Sequence, residues 1–314
     1  MFKSEIKSEI GEDISILIQL DNHPWNYLCE CGDASRLSVK EVQNANAVFI
    51  SHTHIDHFVN FDAVIRHQIG IQRRVVICGP TGIAKQVQAK ILSYTWNLIS
   101  AGAIIYEIRE MQTDNKIVVY QIEPPIWELI EIKTENSNIP FKEKNFEVTG
   151  ILLDHKTPTL AYKFSEKDTL KFDIKSSGFN GGKWVKELKD AYNNQSEDTI
   201  IQIEGMDYKA KKLFHLLHLQ KGDSVGVIMD HAANTDNHAK IKTHFADCEK
   251  VMIECFYKDE DKENAIANFH SYASMSGKIM KETNVTEPIP VHFSRKYNTE
   301  DIEELVAEFN AALK

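Results

Sequence analysis

Four residues with metal-binding side chains stand within six positions: His52, His54, Asp56 and His57, in the run His52-Thr53-His54-Ile55-Asp56-His57. They follow AVFISH (47–52), an apolar run that reads as a buried strand. In an extended segment residues i and i+2 point to the same side, so His52 and His54 can face one ion together. A turn after them offers Asp56 and His57 to a second ion close by. Imidazole and carboxylate suit zinc, manganese or iron, and the cluster has no thiolate to demand a structural cysteine site. Two neighbouring divalent ions are equipment for hydrolysis. They generate hydroxide near neutral pH, neutralise phosphate charge and stabilise a leaving oxygen.

Such a site needs rigid elements around it. ISILIQL (14–20) and WNYLCECG (25–32) predict paired strands around the turn Asp21-Asn22-His23-Pro24. SVKEVQNA (38–45) predicts a short helix before the 47–52 strand, and FVNFDAVIRHQIG a second helix stopped by Gly70. RVVICGP (74–80) reads as a buried strand and IAKQVQAKILSYTWNLI (83–99) as a helix. Residues 104–164 are rich in β-branched alternating runs and predict an antiparallel sheet. TIIQIEG (199–205), SVGVIMD (224–230), VMIECF (251–256) and PIPVHFS (288–294) continue the strand signals, with helices expected over 263–283 and 300–313. Strands first and strand–helix alternation later imply two sheets with helices outside. We read one domain over 1–314, with one candidate insertion, 165–198, less regular than its surroundings.

Composition fits an ordinary soluble globular protein: 42% hydrophobic and 26% charged residues. The net charge of −10 argues against a generally adhesive nucleic-acid binder, though not against a local basic face. No run approaches a membrane span, and the charged start MFKSEIKSEIGEDISIL does not read as a signal peptide. Cys29, Cys31, Cys78, Cys248 and Cys255 form an odd set without repeated spacing, which predicts reduced thiols in a cytoplasmic protein.

The His52–His57 run resembles the H-x-H-x-D-H motif of the metallo-β-lactamase superfamily. From about residue 28 to 300 the chain is similar to ribonuclease Z, the endonuclease that trims the 3′ trailer from precursor tRNA. The similarity is carried by CGDASRLSVKEVQNANAVFISHTHIDHFVNFDAVI, VVICGPTGIAKQV, LLDHKTPTLAYKF, VGVIMD, IECF, HSYAS and HFSRKY, in that order. The resemblance implies an α/β fold, the αββα four-layer sandwich of metallo-β-lactamases. It implies one metal on His52, His54 and His155 and a second on Asp56, His57 and His292, with Asp230 bridging. Those cofactors would be two divalent ions, zinc first, with manganese or iron as alternatives. Asp56 would orient and deprotonate the attacking water, His270 would protonate the departing oxygen, and Glu254 would support the site. Two departures are visible: His231 follows Asp230 where the family has threonine, and Tyr272 interrupts the usual His-Ser-Thr.

The implied partner is precursor tRNA, and the resemblance allows a homodimer. A small-molecule or cyclic-nucleotide phosphodiesterase uses the same scaffold, and a metal-binding protein without turnover is a third reading, disfavoured by the intact ligand set. The 165–198 insertion bears on the choice. It lies where the bacterial family carries its tRNA-gripping arm, with Lys167, Lys171, Lys175, Lys183, Lys186 and Lys189 interspersed with acids. His215 and His218 predict one face of an amphipathic surface helix, and Asp236 and His238 a solvated loop.

Overall fold

A computed structural model describes residues 1–33, 35–173 and 178–314. The chain divides into two compact units, Met1–Ser165 with Asp223–Lys314, and Glu166–Gly222. Each holds its own core.

In the larger unit the first sheet has eight strands, side by side in chain order: β1 (Phe2–Ile6), β2 (Ile16–Leu20), β3 (Asn26–Cys29), β4 (Ala45–Phe49), β5 (Arg74–Pro80), β6 (Ile105–Thr113), β7 (Lys116–Ile122) and β8 (Ile130–Glu135). β3 to β6 run parallel, so their carboxyl ends share one edge. The second sheet begins with β9 (Phe141–Lys142), β10 (Phe146–Asp154) and β11 (Pro158–Glu166). The chain next forms β12 (Thr169–Phe172), β13 (Ile200–Ile203), β14 (Met206–Lys209) and β15 (Leu217–Gln220) of the smaller unit. It then returns to the second sheet as β16 (Ser224–Ile228), β17 (Lys250–Glu254) and β18 (Glu287–Val291). The order there is β18-β17-β16-β11-β10-β9, with β16, β17 and β18 parallel and β11 antiparallel to β16. Three residues join β10 to β11, a link only an antiparallel pair permits. β10 therefore points the same way as β16, β17 and β18.

Three apolar clusters define four layers. One lies between the sheets, where Tyr27, Phe49, Cys78 and Val119 of the first meet Phe146, Tyr162, Phe164 and Val227 of the second. Phe49 packs edge-on against Phe141, Tyr162 and Phe164, with ring centroids 5.8, 5.2 and 5.0 Å away. A second cluster fills the outer face of the first sheet against helices Val39–Gln43, Phe61–Gln68 and Ile83–Leu92. The third fills the outer face of the second sheet against helices Thr235–His244, Ala273–Thr283 and Thr299–Leu313. Helix, sheet, sheet, helix is the four-layer sandwich the resemblance implied.

Several local expectations need correction. β1 was not foreseen: of its five residues only Phe2 reaches the core, and Lys3 and Glu5 interrupt the apolar signal. The helix from Ile83 ends at Leu92, capped by Ser93, and does not extend to 99. The 104–164 strands do not form one sheet; β6 to β8 extend the first and β9 to β11 open the second. The 263–283 helix is two, Lys262–Ala267 and Ala273–Thr283, and the break carries His270.

The smaller unit contains the 165–198 segment and runs on to Gly222. Helix Lys183–Asn193 packs Trp184 and Leu188 against Ile201, Ile203, Leu213 and Leu216. β13 and β14 are joined by Glu204-Gly205, both with positive φ, the conformation a two-residue hairpin requires. β12 pairs with β15, so His218 lies on a strand opposite Lys171 and His215 on a 3₁₀ turn, not on one helix. Gly222 closes the unit: any side chain there would begin 2.1 Å from the Glu166 carbonyl oxygen. Lys175 lies outside the described residues.

Phe49 links both sheets and is fully buried, so Phe49→Ala should cost about 3–5 kcal/mol. Urea denaturation of the wild-type protein and the variant measures it; a loss under about 1 kcal/mol would mean the sheets close over the gap.

Candidate metal centre

Five strands of the two sheets deliver the site at their carboxyl ends. β4 leads to His52, β10 to His155, β16 to Asp230 and β18 to His292, while β17 ends on Glu254 itself. Strand ends are fixed by the ladder behind them, yet their last residues are free to point into a crevice.

The chain leaves β4 through Ser51, whose N–H donates to Glu30 Oε1 (2.9 Å), and Ser51 Oγ lies 3.0 Å from His52 Nδ1. His54 precedes a single helical turn, Ile55–Phe58, which lifts Asp56 and buries His57. His57 Nδ1 sits 3.3 Å from Glu30 Oε2. Glu30 is fully buried with φ +65°, and the loop after it passes so close that a side chain on Gly32 would begin 2.2 Å from the Asp56 carbonyl oxygen. His155 Nδ1 donates to the Phe269 carbonyl at 2.6 Å, which turns Nε2 inward. Asn237, at the start of helix Thr235–His244, ties the loops together: its amide donates to the Asp154 and Ala232 carbonyls. Asp236 and His238 thus belong to a helix, not to a solvated loop.

The imidazoles fall into two groups around one carboxylate. Asp230 Oδ2 faces His155 Nε2 at 3.3 Å and His52 Nε2 at 3.7 Å. Its Oδ1 faces His292 Nδ1 at 2.9 Å and His57 Nε2 at 3.4 Å. His52, His54, His155 and Asp230 can each bring one ligand atom within 4.8 Å of all the others, and so can Asp56, His57 and His292. Asp56 Oδ2 lies 3.4 Å from His292 Nε2 and 3.6 Å from His57 Nε2. The seven residues expected to bind metal are brought together in these two groups.

Their polar atoms fit metal. His52 Nε2 is buried without a hydrogen-bond partner, and His57 Nε2 and His292 Nδ1 crowd a single carboxylate oxygen, Asp230 Oδ1, a state that is costly unless a cation takes the lone pairs. Burial pushes His52 down to about 2, so it stays neutral, as a ligand must. At His292 burial is outweighed by Asp230 and Asp56, and the ring is raised to about 9. That proton is the one a cation would displace.

Beside this lies a third group, Asp230, Glu254 and His270. Glu254 is fully buried; Oε1 binds His270 Nδ1, and Oε2 accepts from the N–H of His231 (3.0 Å) and of Ser271 (3.4 Å). Burial would raise this carboxyl, but His270 and the His231 side chain win and hold it at about 2. Conversely, burial would lower His270, and Glu254 outweighs it to raise the imidazole. Phe256 lies flat on the His270 ring, centroids 3.9 Å apart and planes 7° from parallel. The sequence reading missed Glu30, His231, Asn237 and Phe256. Glu30 offered one signal, an acid inside the apolar run NYLCECG.

Sandwich and site together define a metallo-β-lactamase fold. A metallo-β-lactamase fold protein of Bacillus subtilis superposes with a TM-score of 0.59 at 14% identity, covering 99% of this chain and 92% of that one. In sequence the chain is similar to proteins named ribonuclease Z: that of Borrelia hermsii, 27% identical over 306 residues (94% of this chain, 84% of the relative), and that of Deinococcus radiodurans, 24% identical over 291 residues (89% and 85%). No family model matches. Among the described residues no helix is long and apolar enough to cross a membrane.

Glu30 steers His57 in the carboxylate–histidine manner common behind metal ligands, so Glu30→Ala should weaken metal binding about 10–100-fold. Competition with a chromogenic chelator reads this; unchanged affinity would reduce Glu30 to packing.

Proposed function

We propose that this chain is a binuclear metal-dependent phosphodiesterase, an endoribonuclease that removes the 3′ trailer of precursor tRNA. The observation that carries the reading is Asp230, with one oxygen toward each of two imidazole groups. Similarity to ribonuclease Z over about nine-tenths of the chain supports the substrate. His52, His54 and His155 would hold one ion and Asp56, His57 and His292 the other, with Asp230 shared. Zinc is the first choice for this nitrogen-rich set, ahead of manganese and iron. Two divalent ions held there would supply positive charge against the phosphodiester and make water more acidic.

The protein's own groups do the rest. Asp56 is about one-third exposed and its carboxyl is held well below the usual range, so it is ionised and reachable by water. It would orient the attacking water and, by its position rather than its basicity, accept the proton. His270 gives a proton to the departing 3′ oxygen, and the geometry selects the atom. Nδ1 is engaged by Glu254, so Nε2 is the donor. Glu254 keeps the ring charged until the proton leaves. The five cysteines are buried and free, which supports a reducing, cytoplasmic location. The resemblance extends to a homodimer, which light scattering would show as twice the 35.9 kDa chain mass.

His270→Ala should keep two ions by elemental analysis and lose about 10²–10⁴ in rate on precursor tRNA. A nitrophenyl phosphodiester, whose leaving group needs no proton, should suffer far less. Equal damage to both would place His270 among the ligands or the structural residues.

Substrate class is tested on the smaller unit. Lys183, Lys186 and Lys189 stand on its helix, and phosphate contacts there would release counterions. Replacing all three by alanine should weaken tRNA binding and flatten its salt dependence by up to about three contacts, with nitrophenyl ester hydrolysis unchanged. A wild-type protein without salt-dependent tRNA binding that still cleaves a cyclic nucleotide would shift the reading to a small-molecule phosphodiesterase.

A further inference from the structure

We propose that His231 is a positioning residue for proton transfer: its backbone and its ring together fix the carboxylate that aims His270. This rests on the reading of His270 as the proton donor, but the contact itself is independent of it. His231 is fully buried at the end of β16, directly after Asp230. Its Nδ1 lies 2.9 Å from the Met229 carbonyl oxygen. A carbonyl can only accept, so Nδ1 carries the proton. The same Nδ1 is 3.2 Å from Glu254 Oε2, which also accepts from the His231 backbone N–H at 3.0 Å.

One residue therefore offers one carboxylate oxygen its backbone N–H and a share of its ring N–H, which is divided with the Met229 carbonyl. Ser271 N–H, at 3.4 Å, is the third. With Oε2 loaded by donors, Oε1 is the oxygen left for His270, and the carboxylate cannot turn without abandoning buried partners. Phe256 prevents the His270 ring from tilting, and Glu254 prevents it from spinning. His231 is the base of that clamp. Without its ring donor, Glu254 is held on that side by backbone N–H groups alone.

The test compares His231→Phe, a ring without a donor, with His231→Asn, whose amide nitrogen falls near the position of Nδ1. Proteins with ¹⁵N-labelled histidine are examined first for the His270 Nδ1 proton, which a charged partner shifts downfield and protects from exchange with water. The phenylalanine variant should lose or broaden that resonance, and the asparagine variant should retain it. Both should keep two ions by elemental analysis. On precursor tRNA the phenylalanine variant should be slower by about 10-fold, a part of the roughly 10²–10⁴ an acid is worth, with distinctly less loss on a nitrophenyl phosphodiester. Asparagine should recover most of the tRNA rate. If the phenylalanine variant does not fold, His231→Leu takes its place with the same expectations. An unchanged His270 resonance without the ring donor, equal losses on both esters, or asparagine behaving like phenylalanine would overturn the assignment. Should the wild-type protein cleave neither ester, the phosphodiesterase reading fails, while the resonance still decides the role of His231.

Discussion

Asp230 is 2% exposed and lies among four imidazoles, His52 and His155 on one oxygen and His57 and His292 on the other. Taking a carboxylate this far from water costs several kcal/mol, and only opposing charge on both sides can return it. Much of the surrounding structure serves that requirement. Ser51 lies against His52, Glu30 against His57, and the Phe269 carbonyl holds His155, so each ring meets Asp230 in a set orientation. An imidazole free to swing would leave one carboxylate oxygen without its partner.

The two sheets satisfy the constraint by geometry. β10, β16, β17 and β18 run in one direction, and the aromatic layer around Phe49 fixes their sheet against the one that ends at His52. The candidate ligands thus come from segments more than two hundred residues apart in sequence, yet His52, His155, Asp230 and His292 are each only a few residues beyond a hydrogen-bonded ladder. Rigid strands supply the position and short irregular links supply the direction. Left-handed backbone at Glu30 and His292 shows how sharply two of those links turn.

What could be read in advance follows from distance along the chain. His52, His54, Asp56 and His57 advertise themselves because one strand end and one helical turn place all four. His155, Asp230 and His292 are single polar residues at the ends of separate apolar runs, and only likeness to a family brought them together. The groups behind the ligands were illegible for a physical reason. Glu30 and Asn237 act through the third dimension, on partners 27 and 83 residues away; an acid in an apolar run marks Glu30 as unusual without naming its partner, and nothing local marks Asn237. The layered fold was legible from strand and helix periods. The break at 268–272 was not, because the composition on both sides is helical and Phe269 adopts a positive φ without glycine to signal it.

The smaller unit enters and leaves through a nearly closed gate. Ser165 and Ser224 are paired across β11 and β16, and within the unit Gly222 lies against the Glu166 carbonyl. For the sheet, a compact insert with touching ends is topologically equivalent to a short hairpin loop. Once the insert has folded, closing β11 onto β16 carries the entropy of a tight turn and not that of a long chain. An insert of another length that kept those ends together would leave the strand register on either side unchanged.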